Sequence, residues 1–210
     1  MQKVRHLFWD FDGTLYDSYP QVMHAVRRAL EELCPGHGIT EEENMRDLKV
    51  NVGFCIQQCA SRLGLNADVL RERYRFYHGQ EKDFPPYAGL PECLRTLKEA
   101  GFCHYLYTHR NLSAVEQLKS NGLWELFTDG VTSEDGFPLK PAPDALLCMM
   151  ERNHLTPDVC AMVGDRSIDL GAGKNAGMKG ILFDPERYYQ DYETDLYVYS
   201  MQELCEKLTQ

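Results

Sequence analysis

Three short apolar runs, Val4–Trp9, Phe102–Tyr107 and Val159–Val163, each stop at a polar residue: Asp10, Thr108 and, after Gly164, Asp165. Apolar runs of this length, bounded by turn signals, read as buried strands. Segments of helical length separate the later ones. Parallel strands joined by helices must bury both faces of their sheet, so the fold is narrowed to an α/β class: a Rossmann-like parallel sheet core with helices on both faces. Further strands are expected at 127–131, 180–183 and, on an edge, 196–198, with helices over 90–100, 112–120, 145–152 and 201–208. Ligands of such sheets bind beyond the carboxyl ends of the strands, which places Asp10, Thr108 and Asp165 along one edge.

One stretch breaks the alternation. Between about 18 and 82 no convincing strand occurs, and apolar residues recur at helical spacing. Ser18 is expected to cap a helix with Pro20 in its first turn, carrying Val22, Val26, Ala29, Leu30 and Leu33 on one face. Thr40 and Glu43 have capping-box spacing, and helices are expected over 41–47, 52–63 and 66–79. The pattern predicts a small all-helical domain over 17–83, inserted after the first strand, with 1–16 and 84–210 forming the core. Its two connections, near Leu15–Ser18 and Lys82–Tyr87, make either a hinge or a rigid junction.

Composition excludes several classes of partner. A net charge of -10 without a basic cluster argues against broad contact with nucleic acid or an anionic membrane. No stretch has the length needed to span a bilayer, and no secretion signal is read at the amino terminus. The 8 cysteines are scattered without a Cys-x-x-Cys pair, mostly at apolar-patterned positions, as expected for buried thiols in a reducing cytoplasm. Monomer and homodimer both fit.

The chemistry-bearing residues sit where the sheet would need them. In extended chain, Asp10 and Asp12 point the same way, and two such carboxylates repel unless a cation or proton is shared. Gly13 turns the chain, leaving backbone N–H groups around Phe11 to Thr14 to face an anion; an Asx-rich turn is the simpler alternative. Thr108 offers a hydroxyl to a phosphoryl oxygen or, equally, caps a helix. His109 and Arg110 follow, either reaching the anion or solvated. Pro141 holds Lys140 in an extended loop ahead of a helix, where an ammonium can stay near a phosphate or simply lie on the surface. Asp169 lies one helical turn beyond Asp165.

In this order, Asp10-Phe11-Asp12-Gly13-Thr14-Leu15, Thr108, Lys140-Pro141 and Gly164-Asp165-x-x-x-Asp169 resemble the four motifs of the haloacid dehalogenase-like hydrolase superfamily. The helical insertion resembles the cap of its phosphoglycolate phosphatase and beta-phosphoglucomutase branch. The resemblance implies Asp10 as nucleophile and Asp12 as general acid/base, with Phe11, Thr108, His109 and Lys140 around the phosphate. It also implies Mg2+ on Asp10, Asp165 and the Asp12 backbone carbonyl, with Asp169 in support. The implied activity is magnesium-dependent hydrolysis of a small phosphorylated metabolite through an aspartyl phosphate. A phosphomutase is the alternative within the family, and a catalytically silent binding protein the alternative outside it. Dehalogenases of the superfamily lack a carboxylate at the position of Asp12. Thr108-His109-Arg110 departs from the commoner Asn-Lys or Asn-Gly continuation, which weakens transfer of a substrate's identity. Tyr16, Lys49, Asn51 and Arg110 are the candidate specificity residues; Lys49, Asn51 and Gly53 are placed in a turn between helices, where relatives carry a substrate loop. Arg71, Arg73 and Arg75 read as helix-surface charges.

Overall fold

The computed structural model describes residues 1, 3–80, 84–189 and 191–210. Among these it has six strands, β1 (His6–Trp9), β2 (Cys103–Tyr107), β3 (Phe127–Val131), β4 (Cys160–Gly164), β5 (Lys179–Phe183) and β6 (Leu196–Val198). The helices are α1 (Tyr19–Leu33), α2 (Glu41–Val50), α3 (Val52–Leu63), α4 (Ala67–His78), α5 (Leu90–Glu99), α6 (Ser113–Ser120), α7 (Asp144–Arg152), α8 (Ser167–Asn175) and α9 (Met201–Thr209). All strand pairs are parallel, in the order β3-β2-β1-β4-β5-β6. The chain leaves β1 toward β3 and then returns to build β4 to β6 on the other side. That reversal between β1 and β4 is where a parallel sheet opens a crevice.

Alternation along the strands serves two faces at once. Phe8 stacks on Tyr105, with ring centroids 4.5 Å apart, and both join Met162, Leu146, Met149 and Ala172 in one buried cluster, which brings in α7 and α8. On the opposite face the Trp9 indole donates to His104 Nδ1 at 3.1 Å, and His104 Nε2 bonds the Leu94 carbonyl of α5 at 3.0 Å. The sheet is therefore covered on both sides, as its uninterrupted apolar runs require.

Contacts divide the chain into two compact units, Met1–Tyr16 with Pro86–Gln210, and Asp17–Pro85. The return boundary falls two residues later than the sequence suggests, because the Asp17 N–H donates to the Pro85 carbonyl at 3.0 Å and ties Pro85 to the helical unit. Lys82 and Asp83, in the expected return linker, lie outside the described residues. The helical unit packs Val22, Val26, Leu30, Leu48, Ile56, Cys59 and Leu70 into its own core.

Helix caps show where local spacing suffices and where it fails. Thr40 and Glu43 do form the reciprocal capping box. Ser18 stands at the cap position just ahead of α1 but makes no side-chain capping bond, because its backbone is already helical (φ -93, ψ -9) rather than extended. The expected turn around Lys49 shrinks to Asn51 alone: α2 runs to Val50, α3 starts at Val52, and Asn51 caps α3 by accepting from the Phe54 N–H at 2.7 Å.

Candidate active site

Parallel pairing levels the strand ends. Trp9 lies opposite both Leu106 and Val163, so Asp10 emerges at the same height as the ends of β2 and β4. The ladder continues one step further: the Asp10 N–H donates to the Val163 carbonyl and the Thr108 N–H to the Val131 carbonyl. Gly164 then makes room for α8, since a Cβ there would stand 2.3 Å from the Cβ of Asp169. With glycine at that position, Asp169 folds back over the end of β4, and one of its oxygens accepts the Arg166 N–H at 3.1 Å.

These placements gather three buried carboxylates. One oxygen each from Asp10, Asp165 and Asp169 lie within 4.8 Å of one another. Lys140 stands among them, fully buried: its ammonium donates to Asp10 Oδ1 at 2.7 Å and to the Tyr107 carbonyl at 2.8 Å, and pairs with Asp169 Oδ1 at 2.9 Å. Burial works against its charge, yet Asp10 and Asp169 outweigh burial and hold its pKa above the ordinary lysine value. Thr14, also buried, donates to Asp165 Oδ1 at 3.4 Å. The cluster carries more carboxylates than cations, all of them hard oxygen donors of the kind that Mg2+ selects.

Around this cluster each remaining expected residue has a definite job. Arg110 grips the Asp12 carboxylate with both arms of its guanidinium, Nε to Oδ2 at 3.1 Å and Nη2 to Oδ1. Thr108 lies five residues ahead of α6 and caps no helix; its hydroxyl accepts the Arg110 N–H at 3.0 Å. His109 Nε2 accepts the Lys140 N–H at 2.9 Å. Burial, reinforced by the charge of Lys140, pulls His109 down to about 4, so it is neutral at pH 7 and brings no positive charge to an anion.

In the turn after β1, the N–H groups of Gly13 and Thr14 are spent on the Tyr16 and Phe11 carbonyls, contrary to the expectation that they face an anion. Gly13 itself has φ 77, which that turn demands. The Phe11 ring is buried and stacked on Tyr16 at 4.6 Å, and the Phe11 carbonyl accepts the N–H groups of Thr14, Leu15 and Tyr16. Tyr16 is fully buried and donates to Asn121 Oδ1 at 2.7 Å. In the helical unit Lys49 is buried in the last turn of α2, not exposed in a turn, with its ammonium 4.4 Å from the Tyr19 ring centroid.

Arg166 escaped the sequence reading. Its guanidinium reaches all three clustered carboxylates, 3.5 Å from Asp10 Oδ2, 3.9 Å from Asp165 Oδ1 and 3.7 Å from Asp169 Oδ2. The signal available was its spacing of three from Asp169 at the start of a helix, which puts the two on one face.

Comparison with known proteins gives the family. Residues 7–183 match the family of haloacid dehalogenase-like hydrolases. A phosphoglycolate phosphatase of Vibrio parahaemolyticus is 32% identical over 84% of this chain and 82% of its own. The pyrophosphatase PpaX of Bacillus velezensis is 30% identical over 85% and 82%. Among solved structures, a hydrolase from Streptococcus pneumoniae TIGR4 superposes with TM-score 0.65 at 30% identity, over 86% of this chain and 93% of that one. A predicted phosphoglycolate phosphatase from Haemophilus somnus covers both chains completely at TM-score 0.80 and 20% identity, a likeness of fold. The chain belongs to the haloacid dehalogenase-like hydrolases.

Proposed function

We propose that this chain is a Mg2+-dependent phosphatase that hydrolyses a small phosphomonoester through a phosphoryl group carried on Asp10. The observation behind this reading is the convergence of Asp10, Lys140, Asp165 and Asp169 at the carboxyl end of the sheet, from three separate parts of the chain. Asp10, Asp165 and the Asp12 backbone carbonyl would hold the ion, with Asp169 in support; when bound it draws off the negative charge that keeps a phosphate away from a carboxylate.

The chain's own groups then divide the work. Lys140 fixes the direction of the Asp10 carboxylate and supplies a permanent positive charge to the phosphoryl oxygens, assisted by the Thr108 hydroxyl and the Phe11 backbone. Asp10 attacks phosphorus, and Asp12 gives a proton to the leaving oxygen. In the second half Asp12 takes a proton from the water that releases phosphate from Asp10. His109 serves by anchoring the Lys140 backbone. Arg110, which holds Asp12, is the specificity residue we place nearest the chemistry.

Among the described residues no helix is long and apolar enough to cross a membrane, and all eight cysteines are free thiols. Free thiols suit a reducing compartment such as the cytoplasm, and the substrate we assign is a small phosphorylated metabolite. The test is phosphate release from p-nitrophenyl phosphate, phosphoglycolate, pyrophosphate and a panel of sugar phosphates, with Mg2+ and with EDTA. Mg2+-dependent release that falls at least a thousandfold in Asp10→Asn, with the circular dichroism unchanged, is the expected result. Release that survives Asp10→Asn, or none on any substrate, rejects the reading.

A further inference from the structure

Two cations offset part of the charge of the carboxylate cluster, and they do so in different ways. Lys140 is fully buried and held at 2.7 to 2.9 Å by two carboxylates and a carbonyl. The Arg166 side chain is 14% exposed and touches the same cluster at 3.5 to 3.9 Å, longer than a good charge-assisted hydrogen bond. Its backbone is pinned separately, since its N–H donates to Asp169 Oδ2. The guanidinium is thus partly open to water and stands farther from the carboxylate oxygens than the Lys140 ammonium does.

We propose that Arg166 is the counter-ion of the metal-free site, and that it leaves Asp10, Asp165 and Asp169 when a divalent cation binds, thereby setting that cation's affinity. The carboxylates that Arg166 contacts are the three whose oxygens converge for an ion. A guanidinium and a divalent ion against the same oxygens repel each other strongly at low effective dielectric. Charge balance favours exchange: three carboxylates with Lys140 and a divalent ion are neutral, whereas keeping Arg166 as well leaves the cluster positive. Without the ion, removing Arg166 leaves buried carboxylates facing one another with Lys140 alone. The inference rests on the phosphatase reading only for the choice of Mg2+ as the ion.

The experiment is a Mg2+ titration of the full chain by calorimetry at fixed ionic strength, without substrate, comparing wild type, Arg166→Gln and Arg166→Lys. Arg166→Gln binds Mg2+ about tenfold more tightly than wild type, Arg166→Lys falls between them, and Asp165→Asn abolishes binding in the wild-type and Arg166→Gln backgrounds. Equal or weaker binding by Arg166→Gln overturns the proposal, as does binding that survives Asp165→Asn, or no Mg2+ binding by wild type or Arg166→Gln. Should Arg166→Gln fail to fold, wild type decides alone: the Arg166 Nε–H resonance, assigned by its absence from Arg166→Lys, shifts at saturating Mg2+. An unmoved resonance overturns the proposal. No turnover enters these readings, so a chain that shows the exchange yet releases no phosphate from any substrate loses the proposed function and keeps this inference.

Discussion

The α/β unit and the helical unit each bury carboxylates beside cationic side chains, and the two groups are built differently. In the helical unit Asp47 meets Arg62 at 2.9 Å and Arg46 at 3.7 Å, and Asn44 beside it accepts from the Cys59 thiol at 3.2 Å. Negative charge there is matched by neighbours less than twenty residues away. In the α/β unit, three buried carboxylates from two distant parts of the chain share Lys140 and Arg166. A matched pair is costly only to break, because its removal strands a buried charge; a surplus of buried carboxylates costs stability as it stands and is retained where an ion or substrate supplies the missing charge. The comparison teaches that charge balance, more than burial, separates a structural polar group from a chemical one.

The most severe way to break this contrast is to remove the common cation. Lys140→Met should lower turnover at least a thousandfold and destabilise the chain by about 3–5 kcal/mol, because two buried carboxylates lose their partner. Urea unfolding should recover part of that loss on adding Mg2+, and an absence of recovery would count against a shared ion site. Asp47→Asn in the helical unit should cost less, about 1–3 kcal/mol, through the group it leaves buried and poorly paired. Its Mg2+ affinity, read by calorimetry, should equal that of wild type; a changed affinity would mean that the two clusters are not independent.

Arg110→Met probes a pair that resembles the helical one in being balanced but lies beside the surplus. Both partners are partly exposed, 17% and 32%, so stability should change by under about 1 kcal/mol. The catalytic effect should be larger: without the two-armed grip the Asp12 carboxylate samples more orientations, and kcat should fall about tenfold with Mg2+ affinity unchanged. A kcat equal to wild type would show that Asp12 needs no such guide.

The contrast also accounts for what the sequence made legible. Strand ends carry their side chains to a place fixed by the sheet's topology, so Asp10, Thr108 and Asp165 could be assigned to one edge from alternation alone. The buried strands announced themselves because both of their faces need apolar residues. Arg166 was illegible because a long side chain after a strand end can point to solvent or inward, and only the approach of Asp169 over Gly164 decides which. Lys49 was misjudged for a related reason: an aliphatic stem and an aromatic partner, Tyr19, let an ammonium sit inside a small helical unit. Short-range spacing identified the Thr40–Glu43 box but not the fate of Ser18, whose backbone had already turned helical.

The narrowest contrast, a change of slope with pH, concerns a polar group that is balanced inside the α/β unit itself. His104 is fully buried with both ring nitrogens engaged, one accepting from Trp9 and the other donating to the Leu94 carbonyl. Burial pushes its pKa down to about 4, against the opposing pull of that carbonyl, so the folded chain keeps the imidazole neutral. An unfolded chain takes up the same proton near the ordinary value of about 6.5. Because the unfolded state then binds more protons, the contribution of His104 to stability is complete above about pH 6.5 and is lost as the pH falls toward 4. Between about pH 7.5 and about pH 5 the loss should be at most about 2 kcal/mol. His104→Gln keeps a donor and an acceptor but cannot titrate, so its urea midpoint should decline less steeply than that of wild type over that range. His109, pulled down to about 4 as well, stays in both proteins and cancels from the difference. Equal slopes would place the acid sensitivity elsewhere than in His104.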